Sequence, residues 1–570
     1  MNLEQIYISA VENLLNDNFH NDPFKLNQFI LSNKKEILAI LDKAEIQNNT
    51  QKLIEFLILK KKYFYAIIYL DLIVMKFPKN YLARFTLAKV CHLANMSKAA
   101  LLHMQKIPKE NHTLEFLQLL SNIYNKIQNF NECIKVLRKI RLLDKVDVTN
   151  TIMLLNCYKR LKLFKEAETE LITLQNLEVP KVIKFHNEVM LDIAQDKFNI
   201  ALDKINSKVN EFAEEHLIYQ AKAHIFRKLR RFKEALDQIA ISKKLNAPND
   251  LSVYGCYFAM NDFSNGYSFL VQATDNDGLT DLLRSNGITL WNGENLDKKQ
   301  IFILNGEGIA LGDQIFFYRY LLNIKEKYDV DIFWCNSSER IKFLFENDGI
   351  NLININNIKQ YIQKNKNSYL TTIPRMAKFF FQKDNSKVIN FRKFIKEDNN
   401  KSQFWDKYLN EFKKKLRIGI NWKGDIRYQL DVHRSINLNI LKPIFDVNDI
   451  DYFILNNEIT ENEINFISNF SNVHLIDQKY FISEKQNAFC ETLEIIRNLD
   501  LVITTDTAIA HLSAALGAKT YVLLEYSPYW YWDNDENENY YQNNKLKYFK
   551  QTSAGDWDSV IQAILEKLKF

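Results

Sequence analysis

Glycine is absent from the first 254 residues of this 570-residue chain, and all 13 glycines lie from Gly255 onward. The seven tryptophans are confined in the same way, to positions from Trp291 onward. Glycine is the residue that most readily adopts the backbone conformations of tight turns and of close approach to a ligand. A long segment without it is expected to form helices joined by short polar corners. The chain therefore contains two regions built on different principles.

Composition excludes several classes of protein. A hydrophobic content of 47% is enough for several packed cores, and the length predicts three or four domains at roughly 100 to 200 residues each. A net charge of +6, from 75 Lys and Arg against 69 Asp and Glu, comes without a dense basic run. Nucleic acid is therefore not expected as a partner.

The six cysteines stand far apart, with no C-x-x-C pair and no histidine at metal-ligand spacing. They predict buried thiols in a reducing compartment, and no metal site is expected. The N-terminus, MNLEQIYISAVENLLND, lacks the pattern of a secretory signal, and the most apolar stretch, 63–75, is short and interrupted by Asp71. We therefore expect a soluble cytoplasmic protein without a membrane span.

A large side chain followed three positions later by a small one recurs in the glycine-free region with a constant period of about 34 residues. The pairs are Met96/Ala99, Phe130/Cys133, Phe164/Ala167, Phe198/Ala201 and Phe232/Ala235, with Tyr63/Ala66 one position out of step. This period, with LFKEA at 163–167 and RFKEA at 231–235, resembles the helical hairpin of tetratricopeptide repeats (TPR). The alternative is an ordinary all-α domain of amphipathic helices. Repeats of this kind form a groove for a polypeptide, so this region is predicted to bind a partner.

From about residue 280, short β-rich runs alternate with helical stretches, which predicts doubly wound parallel sheets with ligands at the carboxyl ends of the strands. The first series has three predicted strands and the second has five. They are IFILN (301–305), DIFWC (331–335), INLIN (350–354), RIGIN (417–421), DYFIL (451–455), NVHLI (472–476), DLVIT (500–504) and TYVLL (520–524). Two such halves would place a site in the cleft between them.

The first motif of this half is ILNGEGIALGDQIFFYRYL, a strand and a glycine-rich turn with Gly306, Gly308 and Gly312, followed by Asp313 at the start of a helix. Such a turn brings backbone N–H groups close to an anion or a sugar. The spacing G-x-G-x-x-x-G departs from the dinucleotide fingerprint, so nicotinamide binding is not favoured. Asp313 is either a helix N-cap or a catalytic carboxylate, and a capping carboxylate would be the weaker base.

The second motif, DLVITTDTAIAHLSAALGAKTYVLL, is a buried strand, a hydroxyl-rich turn and a helix of small residues. Thr505, Thr507 and the free N–H groups at the helix start could hold a diphosphate. His511 lies one turn further on the same face, either as a buried core histidine or as a ligand-binding group. Asp506 would repel a diphosphate, so capping or a hydrogen bond to a ribose hydroxyl is favoured for it.

These motifs resemble bacterial glycosyltransferases of the ADP-heptose heptosyltransferase superfamily, in particular its members with tetratricopeptide repeats ahead of the transferase. The resemblance covers about residues 286–570. Its matching stretches are LWNGENLDKKQIFIL (290–304), LGDQIFFYRYL (311–321), TTIPRM (371–376), RIGINWKG (417–424), HRSINL (433–438), TTDTAIAHLSAALG (504–517), YSPYWYW (526–532) and GDWDSVIQAI (555–564).

The resemblance implies a GT-B fold, two Rossmann-like halves with a nucleotide-sugar donor held mainly by the C-terminal half, and no metal. It implies that Asp313 is the general base. The donor-binding residues that it implies are Gly312, Lys423, Arg434, Ser435, Thr505, Asp506, Thr507 and His511. Ala508 stands where classical heptosyltransferases have glycine, although alanine suits the repeat-containing relatives, and Ile309 and Ala310 lengthen the first turn. Together these departures argue against ADP-heptose as the donor.

Five segments are predicted: an N-terminal helical segment (1–50), TPR-like repeats (51–285), the acceptor half (286–412), the donor half (413–545) and a final helix (546–570) that returns to the first half. The predicted activity is sugar transfer from a nucleotide sugar to a protein acceptor, such as a flagellin or adhesin, recruited by the repeats. No cofactor other than the donor is expected, and homo-oligomerisation is left open. The alternatives are a lipopolysaccharide or capsule glycan acceptor, and an inactive scaffold.

Overall fold

The structure, a computed structural model, falls into two compact units, Met1–Lys184 and Phe185–Phe570. It describes Lys35 and residues 43–94, 96–143, 147–248, 253–274, 288–305, 309–335, 343–345, 349–353, 358–362, 367–383, 398–412, 416–424, 431–533, 541 and 544–568. Most of the predicted segment 1–50 lies outside these residues. A helix, Ala44–Leu59, runs through the predicted boundary at residue 50.

The described residues before 255 form mainly α-helices joined by short corners, as the absence of glycine predicts, and a further helical hairpin containing Gly255 and Gly266 follows. We call residues 43–274 the helical region. Its helices are Ala44–Leu59, Tyr63–Lys76, Tyr81–Leu93, Ser97–Met104, Leu114–Lys126, Phe130–Leu143, Val148–Arg160, Phe164–Gln175, Lys181–Ala194, Phe198–Lys208, His216–Lys228, Phe232–Lys244, Val253–Ala259 and Phe263–Thr274.

The repeat period marks the start of every second helix. Phe130, Phe164, Phe198 and Phe232 are each the first residue of a helix. The small partners Cys133, Ala167, Ala201 and Ala235 have no exposed surface, so the facing helix of each hairpin packs directly over them. The helical-repeat prediction is confirmed.

One pair of the pattern is wrong by a single position. Met96 is 39% exposed and precedes the helix, whereas Ser97 and Ala100 are buried. Ala66 is also buried and lies one full repeat before Ala100, so the first two hairpins keep the period and the shift falls after them.

The α/β region, residues 288–568, contains two parallel sheets of Rossmann-like type. The five-stranded sheet has the order β1-β5-β2-β3-β4 and the six-stranded sheet the order β11-β10-β9-β6-β7-β8. The strands are β1 Thr289–Leu290, β2 Lys299–Leu304, β3 Val330–Cys335, β4 Ile350–Ile353, β5 Ser368–Thr372, β6 Leu416–Asn421, β7 Ile450–Ile454, β8 Val473–Leu475, β9 Leu501–Thr505, β10 Thr520–Leu524 and β11 Leu546–Lys550. All eight predicted strands are present; β1, β5 and β11 were not predicted.

The helices of this region lie mostly in the connections between strands. They are Leu311–Lys327, Ile358–Tyr361, Ile373–Lys383, Asn399–Leu409, Asp431–Arg434, Lys442–Phe445, Glu461–Ile467, Thr492–Arg497, Ala508–Ala515 and Trp557–Leu568. None of the helices in the described part of the chain reaches the length and apolar character that crossing a bilayer requires.

Each sheet reverses its winding once. In the first sheet the reversal lies between β2 and β5, where Leu304 is in register with Thr372. In the second sheet it lies between β6 and β9, where Asn421 is in register with Thr504. Ligands of open parallel sheets bind beyond the strand ends at such a switch point. Each of the two motifs found in the sequence follows a strand that borders its sheet's switch point.

The C-terminal segment differs from its prediction. Residues 546–550 form the edge strand β11, paired with β10, rather than helix. The final helix buries Trp557, Ile561 and Ile564 in the core of the second sheet, so it does not pack on the first half as expected. Its apolar face is complementary to the second sheet, which lies nearest in sequence.

Candidate active site

Asp313 is the third residue of helix Leu311–Lys327 rather than its N-cap, which is Ala310. Its Oδ2 accepts a hydrogen bond from the Ala310 N–H at 2.9 Å, so the carboxylate stabilises the helix start as an N3 acid does. The preceding glycines of the motif, Gly306 and Gly308, lie outside the described residues. The N-cap interpretation of Asp313 is therefore wrong in position, although Asp313 caps the helix from its third residue with one of its two carboxylate oxygens.

The other oxygen of Asp313 accepts a hydrogen bond of 2.5 Å from the hydroxyl of Tyr531. Burial raises the pKa of Asp313 above its ordinary value, and the nearby charge of Asp506 adds to this. The hydrogen bonds from Tyr531 and Ala310 and the charge of Arg434 oppose the rise. A carboxylate with a raised pKa is a stronger base than an ordinary aspartate, so burial outweighs the weakening effect of the capping hydrogen bond.

The turn Trp530–Trp532 joins the second acidic residue to the first. Trp532 donates from Nε1 to Asp506 Oδ1 at 2.7 Å, while its neighbour Tyr531 donates to Asp313. The rings of both residues also contact His511, with centroids 4.8 Å and 5.0 Å from the imidazole. This short turn therefore contacts Asp313, Asp506 and His511.

His511 is buried, and its Nδ1 is hydrogen-bonded to the hydroxyl of Tyr541. Burial lowers the pKa of His511 well below its ordinary value, and the charges of Arg319 and Arg434 lower it further. The imidazole is therefore neutral near pH 7. With Nδ1 accepting from Tyr541, Nε2 would carry the proton and could donate a hydrogen bond.

Gly312 lies where helix Leu311–Lys327 contacts helix Ala508–Ala515. A Cβ at this position would lie 2.8 Å from Cδ2 of His511 and 3.4 Å from Cα of Ala508. Glycine at 312 thus lets helix Leu311–Lys327 approach helix Ala508–Ala515. The structural role of Gly312 is this approach.

Arg434 ends the short helix Asp431–Arg434 and is half-buried. Its charge lowers the pKa of both Asp313 and His511, which places a cation near both groups. Arg434 is the predicted donor-binding cation that the fold brings closest to the rest of the site.

The threonine hydroxyls of the second motif are buried or hydrogen-bonded within the protein. Thr507 is the N-cap of helix Ala508–Ala515, and it accepts hydrogen bonds from the Ile509 N–H and from Nδ2 of Asn421, the latter at 3.0 Å. Thr505 is fully buried, so a ligand does not reach its side chain in this conformation. Asn421, which spans the switch point between β6 and β9, was missed by the sequence analysis.

Two other residues predicted to bind the sugar donor, Lys423 and Ser435, make hydrogen bonds within the protein. The Lys423 ammonium lies 2.6 Å and 2.8 Å from the two carboxylate oxygens of Glu463. Ser435 accepts a hydrogen bond of 3.0 Å from the Gly424 N–H, which joins the two loop segments that carry Lys423 and Arg434. In this structure both residues shape the loop, and their contact with a donor stays a prediction.

Helices of the helical region after residue 184 also contact the loops near Arg434 and near the turn Trp530–Trp532. Lys228 forms a 2.6 Å ion pair with Glu525, and Arg230 forms one of 2.5 Å with Asp533. Asp196 accepts a 2.7 Å hydrogen bond from His433, beside Arg434. The charge of Asp506 contributes to the raised pKa of Glu525. Sequence spacing gave no signal for these contacts because the partners lie in distant parts of the chain.

Three side chains that hydrogen-bond to Asp313, Asp506 or His511 were not assigned from the sequence: Tyr531, Trp532 and Tyr541. The aromatic stretch YSPYWYW contains the first two and was the available signal for them. Among the described residues, no group of three His, Cys, Asp or Glu is arranged to hold a metal ion.

No protein-family model matches the chain, and no curated protein matches it significantly. Among solved structures it is similar to a tetratricopeptide repeat protein from Parabacteroides merdae, with 11% identity and a TM-score of 0.35 over 40% of this chain and 91% of that chain. It is also similar to a family 9 glycosyl transferase from Veillonella parvula, with 11% identity and a TM-score of 0.34 over 48% and 97%. A third is an O-GlcNAc transferase variant from Thermobaculum terrenum, with 7% identity and a TM-score of 0.27 over 80% and 90%. Similarity at this level does not assign a function, which rests on the site itself.

Proposed function

We propose that the protein is a metal-independent glycosyltransferase of the GT-B type that moves a sugar from a nucleotide sugar to a protein acceptor. The observation that carries the proposal is the placement of Asp313. This carboxylate has a raised pKa, follows Gly312, which packs against His511 and Ala508 at the start of helix Ala508–Ala515, and is hydrogen-bonded to Tyr531, whose ring contacts His511. A base and an anion-binding helix start therefore belong to one site.

Asp313 acts as the general base in this proposal. Its carboxylate takes the proton from the attacking acceptor group as that group bonds to the anomeric carbon of the donor sugar. The bond from the anomeric carbon to the nucleotide phosphate breaks, and the electron pair leaves with the nucleotide. Both oxygens of Asp313 already accept one hydrogen bond, which fixes their orientation and leaves each a further lone pair.

The leaving diphosphate would be met by three groups of the second half. The N-terminus of helix Ala508–Ala515 attracts negative charge, and neutral His511 can donate from Nε2. Arg434 supplies a positive charge near both. Because His511 is neutral, its contribution is a hydrogen bond rather than a charge. Asp506, held by Trp532, suits a hydroxyl of the ribose or of the sugar.

The acceptor is proposed to be a polypeptide held by the helical repeats. Lys228, Arg230 and Asp196 belong to these repeats and contact the loops of the donor half. A chain bound along the last hairpins would thus end near the transferase site. A glycan acceptor needs no peptide-binding repeats, which favours protein over lipopolysaccharide or capsule.

The test of the base is Asp313→Asn. Turnover should fall about 10²- to 10⁴-fold, since removing a general base typically costs that much, while nucleotide affinity by calorimetry stays within a factor of about three. The exposed Asp558→Asn, on the final helix, is the matched control and should retain full turnover. Near-normal turnover of Asp313→Asn would remove Asp313 from the mechanism.

Intact-protein mass spectrometry decides the acceptor. Candidate surface proteins expressed with the wild-type chain should gain the mass of one or more sugars, and the same proteins expressed with Asp313→Asn should not. Sugar found only on extracted lipopolysaccharide or capsule would favour the glycan acceptor. Absence of nucleotide binding in a thermal-shift assay would support an inactive scaffold.

A further inference from the structure

The turn Trp530–Trp532 is held on two sides, and its central residue points at Asp313. Trp530 stacks on Phe258 of the last helical hairpin, with ring centroids 4.5 Å apart, and also contacts Tyr267. Trp532 donates a hydrogen bond to Asp506. All three residues of the turn are buried. The position of Tyr531 between these two anchors is therefore fixed by packing and by a hydrogen bond.

The Tyr531 side chain is itself confined. Its ring lies 4.6 Å from that of Phe316, on the same helix as Asp313, and 5.0 Å from that of His511. Burial raises the pKa of Tyr531 well above its ordinary value, and the charge of Asp313 raises it further. The phenol therefore keeps its proton and is a permanent hydrogen-bond donor to the carboxylate.

We propose that Tyr531 is a positioning residue for the transfer reaction, whose hydroxyl orients the Asp313 carboxylate for proton abstraction. This inference rests on the proposed function of Asp313. With Oδ2 held by the Ala310 N–H and Oδ1 by Tyr531, the carboxylate plane has one orientation. Without Tyr531, the carboxylate would keep only the bond to its own helix.

The hydrogen bond also affects the charge of the base. Burial and Asp506 favour the protonated form of Asp313, while Tyr531, Ala310 and Arg434 favour the carboxylate, and neutral His511 adds no charge. Removing the Tyr531 hydroxyl therefore raises the pKa of Asp313. A general base must be ionised, so the acidic limb of the activity profile should move to higher pH.

The experiment compares Tyr531→Phe with Tyr529→Phe, which removes a neighbouring hydroxyl. In Tyr531→Phe, kcat at pH 7 should fall about tenfold or more, with the acidic limb of the kcat profile raised by about one pH unit or more and the donor KM unchanged. Part of the loss should be recovered at high pH. Tyr529→Phe should keep the wild-type profile. A Tyr531→Phe profile that is unshifted overturns the inference.

A thermal double-mutant cycle tests the contact without activity. The unfolding midpoints of Tyr531→Phe, Asp313→Ala and the double variant should be non-additive, because each single change already removes one partner of the same hydrogen bond. Additive shifts would overturn the inference. If the wild-type protein transfers no sugar, the proposed function has failed, and the cycle still decides whether Tyr531 holds the carboxylate.

Discussion

The helical region and the α/β region differ in how they use glycine at left-handed corners, although the α/β region also places Lys298 and Phe489 in this conformation. Between its helices the helical region places Gln128, Lys162, Asp196 and Arg230 in the left-handed conformation, with φ from 56° to 61°, at the same position of successive repeats. The α/β region ends helix Ala508–Ala515 with Gly517 at φ 69°. A non-glycine residue in this conformation costs about 1–2 kcal/mol. The repeats therefore tolerate strain at every one of these corners.

The comparison shows that conformational freedom alone does not explain the glycines of the α/β region. Long side chains adopt the same φ in the repeats, so a left-handed corner does not require glycine. Gly312 is required for a different reason: it has no side chain where two helices from different sheets meet. The repeats before residue 255 meet close helix contacts with Cys or Ala, whereas Gly266, in the last helix of the helical region, is also tightly packed: a Cβ there would lie 2.6 Å from the Phe258 ring.

The largest loss of folding stability is expected at an ion pair that connects the helical region to the α/β region. Lys228→Met leaves the buried Glu525 carboxylate without its 2.6 Å partner and should destabilise the protein by about 3 kcal/mol. Glu525 already has a pKa raised by burial, and loss of Lys228 raises it further. The cost should therefore shrink as the pH falls and Glu525 takes up a proton.

Urea unfolding at pH 5 and pH 8 measures this effect. The matched control is Lys89→Met, which breaks the exposed ion pair with Glu115 and should cost less than about 1 kcal/mol at either pH. Equal costs for the two variants would show that the join between the helices and the α/β region carries no special energy.

A smaller effect is expected at the glycine contact. Gly312→Ala places a methyl group 2.8 Å from the His511 ring and should destabilise by about 1–3 kcal/mol through overpacking. Gly255→Ala is the control, because nothing lies within 4 Å of the added Cβ in its helix, and it should stabilise by about 0.5–1 kcal/mol. Thermal unfolding measures both variants. Unfolding midpoints that shift in the same direction would show that Gly312 is not at a tight helix contact.

The smallest effect is expected at a repeat corner. Lys162→Gly removes the strain of φ 56° but gives the unfolded chain more freedom, for a net stabilisation of about 0.5 kcal/mol. Lys165→Gly, three positions later and inside helix Phe164–Gln175, should destabilise by about 1 kcal/mol. Denaturant titration measures the free energy of unfolding of both variants. Destabilisation by Lys162→Gly would show that the corner is unstrained.

Local patterns predicted the elements well because they depend on near neighbours. The repeat period marked the starts of helices at Phe130, Phe164, Phe198 and Phe232, and the β-rich runs marked eight strands. The edge strand β11 was missed because its sequence, LKYFK, lies next to a strongly helical segment. The final helix was misplaced because its apolar face alone does not indicate which sheet it covers.

The sequence singled out Asp313, Asp506 and His511 because their motifs follow strand ends, and the fold places all three against one turn; their role in a site stays a prediction. The partners of these residues were not predicted. Lys423 was expected near a diphosphate, yet it pairs with Glu463, which is remote in sequence, and only the fold brings that carboxylate within reach. Thr505 was expected to face a ligand, yet it is the buried last residue of β9.

The sequence by itself determined that a glycine-free helical repeat precedes two doubly wound sheets, since composition and periodicity act through local backbone preferences. It also determined that an aspartate and a histidine follow strands at their carboxyl ends. Only the tertiary structure decided that Tyr531 and Trp532 bind the two acidic residues, and that His511 is neutral. Hydrogen bonding and burial depend on groups far apart in the chain, whose distances exist only once the chain has folded.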